Sequence, residues 1–95
     1  MTARLVCLDV TDPDGYEAYR RAMAPILARH GGRFVLDVAA TPAIHPAGFT
    51  PNRVIVIAFE TRAAADAFFA DPAYVDARAR WFVPSVAASS VTWLP

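Results

Sequence analysis

The chain contains no lysine; all nine of its basic residues are arginine. A lysine Schiff base cannot form, which excludes lysine-dependent aldolase and pyridoxal chemistry. There is one cysteine, Cys7, so no intrachain disulfide is possible, and a reducing, cytoplasmic setting is expected. The two histidines, His30 and His45, have no carboxylate at helical spacing to either. That is a poor ligand set, and neither a metal nor a cofactor is expected. Nine acidic residues balance the arginines, and no block of like charge exists. The sequence therefore offers no basic stripe for nucleic acid or for an anionic membrane surface. No apolar run approaches the roughly 18 residues of a membrane span. The N-terminus lacks a charged segment followed by a long apolar one, so no signal peptide is expected.

What is present is apolar surface. Hydrophobic residues make up 56% of 95 positions and charged residues only 19%. That length predicts one domain, residues 1–95, with a core small enough for association to help it. Residues 53–60 place six consecutive apolar residues between Arg53 and Glu60. The run is too short for a typical helix and reads as a strand buried on both faces.

The remaining elements follow from periodicity and punctuation. Residues 3–10 alternate as a first strand, with Val6, Leu8 and Val10 on one face and Leu5, Cys7 and Asp9 on the other. Asp12-Pro13 supplies a cap and a first-turn proline. Tyr16, Tyr19, Met23, Ile26, Leu27 and His30 then form the stripe of an amphipathic helix. Gly31-Gly32 ends it, and Pro25 is expected to kink it near Arg21. Residues 33–40 read as a second strand, with Phe34, Leu36, Val38 and Ala40 on one face and Asp37 on the other. Residues 41–52 form a proline-stiffened arm in which Ile44 or Phe49 is expected to pack on a partner or over a cleft. Thr61 caps a second helix over 63–70, and Asp71-Pro72 opens a third that Pro84 ends. Residues 86–94 make a fourth strand, and Ser85, Ser89 and Ser90 look like strand residues.

The order is βαββαβ. Right-handed crossovers place the helices on one face of a four-stranded antiparallel sheet, the ferredoxin-like arrangement. Helices enough for one face leave the other to be covered. A second copy of the chain, packed sheet to sheet, or a ligand would do so.

Certain segments carry a family likeness: Tyr19 with Pro25, then Gly31-Gly32-Arg33, the strand from Arg53 to Phe59, and Asp71-Pro72-Ala73-Tyr74 leading to Arg78. In this order they resemble the small bacterial proteins of domain-of-unknown-function family thirteen-thirty, in the dimeric α+β-barrel superfamily. The likeness covers roughly residues 3–93. It implies a homodimer and no set reaction; the wider superfamily includes cofactor-independent monooxygenases, haem-degrading enzymes, isomerases and stress-responsive proteins. The chain departs from the family pattern in the segment Asp37–Pro46 and at Trp93.

Two functions are consistent with these features. One is a small-molecule enzyme or binder, monooxygenase- or isomerase-like, with an apolar pocket between sheet and helices. Tyr16, Tyr19 and Trp81 would line it, and Arg53 or Arg78 would orient a small apolar or anionic molecule. The other is a noncatalytic dimeric stress or regulatory module, in which the same aromatics fill a core and the arginines serve Asp37, Asp71 or Asp76. His30 reads as a general base or haem ligand, or as a helix C-terminal residue at the core edge. Asp9 and Asp37 are expected on the sheet face opposite the apolar one, where each must be paired or wet.

Overall fold

In the computed structural model, residues 1–40 and 48–95 are described. The strands are β1 Thr2–Val10, β2 Arg33–Ala39, β3 Arg53–Phe59 and β4 Val86–Leu94. They pair antiparallel in the order β2-β3-β1-β4. Helix α1, Pro13–Arg29, follows β1; α2, Arg62–Ala70, and α3, Pro72–Ala77, follow β3. A π-helical stretch, Arg78–Phe82, and one short turn, α4 Val83–Ser85, carry the chain into β4. This is the ferredoxin-like fold.

The punctuation residues act through identifiable bonds. Asp12 accepts the Gly15 N–H at 3.2 Å, Thr61 accepts that of Ala64 at 3.1 Å, and Asp71 accepts that of Ala73 at 2.9 Å. Each satisfies a helix-start donor that would otherwise lack a partner. α1 runs as one helix through Pro25 to Arg29. Gly31, at φ +71°, makes the left-handed step that closes it. Gly32 is needed for close packing instead. A Cβ there would lie 2.3 Å from Leu27 Cδ1 and 2.7 Å from Phe59 Cε1.

Ser85 precedes β4 rather than lying in it. It is fully buried, its hydroxyl donates to the Trp81 carbonyl at 2.7 Å, and its own carbonyl accepts from Thr11 N and Asp12 N. One residue thus ties the end of the helical segment to the start of α1. Pro84 sits within the short turn beside it rather than ending the segment. Asn52 performs a similar service at the end of β1. Its amide exchanges hydrogen bonds with the Val10 backbone at 2.8 and 2.9 Å, imitating a strand neighbour just before the start of β3.

The core lies between one sheet face and the helices. Leu8, Met23, Leu27, Phe59 and Phe68 are its most completely buried large side chains, each worth about 1.5–3 kcal/mol of burial. Register corrects one expectation. Phe34 pairs with Ile57, but Leu36 pairs with Val56, so Val35 is an extra residue in β2. This bulge reverses the alternation. Leu36 and Val38 move to the open face, and Asp37, opposite Ile55, turns toward the helices. The open face then carries Leu5 and Cys7 of β1, Val54 and Val56 of β3, and Leu36 and Val38 of β2. Phe49 is half-buried, whereas Ile44 and His45 lie outside the described residues.

Candidate functional site

Between the sheet and the helices is a cavity of about 60 Å³ whose lining draws on all four strands. Its floor includes Arg4, Val6 and Leu8 of β1 and Ile55 and Ile57 of β3; its roof includes Tyr16, Tyr19, Met23, Tyr74 and Phe82. Arg78, Ser89 and Val91 are exposed and mark its mouth. The π-helical stretch begins at Arg78 and ends at Phe82, and both side chains line the cavity. Its wider turn is shown by the bond from Val83 N to the Arg78 carbonyl, five residues back.

The polar groups are few. The Tyr19 and Tyr74 hydroxyls lie 3.0 Å apart in a buried hydrogen bond. Burial pushes the Tyr19 phenol far above its ordinary range, and the neighbouring Tyr74 adds to the effect. Arg4 enters from the sheet floor, with its guanidinium 4.0 Å from the Phe69 ring centre and 5.6 Å from that of Trp93. Its Nε is buried and has no hydrogen-bond partner among the described residues. Burial draws the Arg4 pKa down, and the charge of Arg78 contributes in the same direction. Neither Arg4 nor Arg78 forms an ion pair with a described residue. Arg78 instead lies over the Phe82 ring, 4.8 Å from its centre.

Beside the cavity is a separate cluster around Asp37. Its side chain, only 5% exposed, is held by Arg53 and by Arg20 at 2.8 Å, and the Tyr16 hydroxyl donates to it at 3.4 Å. The hydrogen bond to Asp37 holds the Arg53 guanidinium in its charged form, raising its pKa. Burial, followed by the Asp37 charge, pushes the Tyr16 phenol up. Arg20 Nε is also buried without a hydrogen bond, but unlike Arg4 this arginine has a carboxylate partner. Tyr16 also borders a wider, more open cleft of about 440 Å³, whose other lining residues include Pro13, Glu17, Asn52 and Arg53.

Of the residues singled out from sequence, Tyr16, Tyr19 and Arg78 therefore meet on the cavity. Arg53 is turned to Asp37 and the outer cleft. Trp81 is half-buried beside the core, with Arg80 4.9 Å from its ring centre, and does not line the cavity. Sequence reasoning missed Arg4. Its signal was available: in the alternation of β1 it shares a face with Val6 and Leu8, a charge in register with an apolar stripe.

His30 is engaged elsewhere. Its Nε2 lies 2.8 Å from Asp71 Oδ2, joining the C-terminus of α1 to the cap of α3. That hydrogen bond, with the Ala73 N–H, holds the Asp71 carboxyl below its usual range. No group of three His, Cys, Asp or Glu side chains converges among the described residues.

Comparison with known proteins agrees with this architecture. No curated protein matches the chain. A protein of unknown function from Rhodopseudomonas palustris superposes with a TM-score of 0.80 at 23% identity, over 98% of this chain and 79% of its own. A candidate antibiotic biosynthesis monooxygenase from Nitrosomonas europaea gives 0.65 at 18%, over 100% and 97%. A dimeric ferredoxin-like protein of unknown function from Thermobifida fusca gives 0.62 at 15%, over 98% and 88%. At these identities the likeness shows the fold. Residues 4–82 match the model of one family, and the chain belongs to it: Domain of unknown function (DUF1330).

Proposed function

We propose that the protein is a homodimer, each protomer of which binds a small molecule in the cavity between sheet and helices. The observation that carries this reading is an apolar cavity, unfilled by side chains, on which a few polar groups converge. Binding has more support than catalysis. The carboxylate beside the cavity, Asp37, is already held by Arg20 and Arg53. The Tyr16 and Tyr19 phenols are held protonated, so neither offers a phenolate to act as a base near neutral pH. A cofactor-independent reaction of the monooxygenase or isomerase kind would draw its reactivity from the bound molecule. The Nitrosomonas europaea neighbour lends that version its support. A noncatalytic dimeric stress or regulatory module is the second reading, favoured by the small size of the cavity.

Association rests on the open sheet face. Leu36 and Val38 are 40% and 44% exposed there, and the described helices pack on the other face. The Thermobifida fusca neighbour is a dimeric ferredoxin-like protein. A standard interface buries about 1,600 Å² in total.

A thermal-shift screen of small apolar compounds tests the site, with Val6→Phe, which fills the cavity floor, as the control. Bound ligand stabilises the folded state by mass action, by about 2.7 kcal/mol at a hundred times Kd. Compounds that raise the midpoint of the parent and not of Val6→Phe support the cavity. If no compound shifts the parent, or if every shift persists in Val6→Phe, the cavity is not the site.

A further inference from the structure

We infer that the cavity takes a small apolar carboxylate, with Arg4 as the residue that receives its anionic end and Arg78 assisting from the rim. This rests on the small-molecule site proposed above and names its ligand class.

Charge and hydrogen-bond donors are out of balance around the cavity. Arg4 is the described arginine that combines an inward position, a buried Nε without a partner and no ion pair. A guanidinium brought among Val6, Leu8 and Ile57 loses hydration, and the faces of Phe69 and Trp93 return only part of that loss. A second guanidinium, Arg78, stands at the mouth of the same cavity. Two like charges without a carboxylate leave the site short of negative charge. The neighbouring cluster shows the contrast: there the fold supplies its own anion, Asp37, to Arg20 and Arg53.

The hydroxyls point the same way. In the Tyr19–Tyr74 pair one phenol donates to the other, so one hydroxyl hydrogen is left over. The groups facing the cavity thus offer guanidinium N–H bonds and a spare phenol O–H, which are donors. An acceptor-rich, negatively charged group is the complement. A guanidinium fork suits the two oxygens of a carboxylate in particular. The rest of the lining, with Leu8, Met23, Ile55 and Phe82, demands an apolar body, and about 60 Å³ keeps that body small.

The test uses two acids and their neutral isosteres, propionate against propionamide and butyrate against butyramide, titrated calorimetrically or by ligand-observed NMR. Charge-assisted hydrogen bonds predict that the better acid binds at least about tenfold more tightly than its amide. Arg4→Met, which keeps an apolar stem and removes the charge, should abolish that preference while leaving amide binding within about threefold. Arg78→Met should weaken the acid less, by a few-fold, as its rim position implies. Arg4→Gln gives the same reading if the methionine variant folds poorly, and unchanged amide binding shows that the cavity is intact. If the amides bind the parent as tightly as the acids, or if the preference survives loss of Arg4, the carboxylate assignment is wrong while the cavity stands as a site. If none of the four compounds binds at millimolar concentration, the carboxylate assignment is wrong, and the thermal-shift screen with Val6→Phe decides separately whether the cavity is a site.

Discussion

At the scale of single residues, burial decides what the ionisable groups can do. The Tyr16 and Tyr19 phenols both hold their protons more tightly in the folded protein than the ordinary value of 10.0. The sign of the pH dependence follows. Their contribution is intact below pH 10 or so and is lost as pH rises, because the unfolded chain ionises first. Two such groups give a loss on the order of 3 kcal/mol per pH unit above that point. Urea unfolding across the alkaline range should show this slope, and Tyr16→Phe should roughly halve it. A slope unaffected by Tyr16→Phe would mean that this phenol ionises freely in the fold. Single residues also show where sequence reading fails. Tyr16, Tyr19 and Arg78 were legible because helical spacing fixes a face. Asp37 was misplaced because one inserted residue, Val35, changes its face, and no composition signal marks such an insertion. Arg53 was legible as a candidate but not its orientation, which depends on Asp37 having turned inward.

Elements were the most legible level, and the reason is chemical. Asp12-Pro13, Thr61, Asp71-Pro72 and Gly31-Gly32 act within a few residues of their own positions, so their signals survive without tertiary context. The π-helical stretch gave no such signal, since its wider turn is seen only in the bond from Val83 back to Arg78. Two predictions belong here. Gly32→Ala forces a Cβ into Leu27 and the fully buried Phe59. It should cost about 1–3 kcal/mol of unfolding free energy by overpacking, measured by chemical denaturation. Deleting Val35 should do less harm than its place in a strand suggests. The deletion makes the ladder regular, with Leu36 still opposite Val56 and Asp37 opposite Ile55. Asp37→Ala should therefore remain destabilising in the deleted background, because a buried partner of two arginines is still being removed. If Asp37→Ala becomes neutral there, the deletion has slipped the register of β2 on β3 and Asp37 no longer faces the helices.

For the whole molecule, the two faces of β3 are expected to separate folding from the proposed association. Ile57 is 6% exposed within the protomer and belongs to the core, whereas Val56 is on the open face. Ile57→Asp should unfold the chain. Val56→Asp should leave a folded protomer and shift light-scattering mass from twice 10.3 kDa toward 10.3 kDa. A folded dimer in Val56→Asp would place the interface elsewhere, and a parent that is monomeric at micromolar concentration would remove it. The open apolar sheet face was legible from the doubly apolar β3 and the count of helices. The place of the cavity was anticipated in one of the two readings, but not that it stays unfilled, since empty space depends on how side chains from four strands and four helical segments fail to meet.

The position of Arg4 gives the protein an optical reporter. Its guanidinium touches the cavity on one side and approaches the Trp93 indole on the other, while Arg62 lies 3.8 Å from the centre of that same ring. Indole emission is sensitive to nearby charge. A molecule that draws Arg4 toward it should therefore change the fluorescence of Trp93. The second indole, Trp81, lies off the cavity beneath Arg80 and should respond little. In Trp81→Phe the emission comes from Trp93 alone, and occupancy of the cavity can be followed in solution without any label.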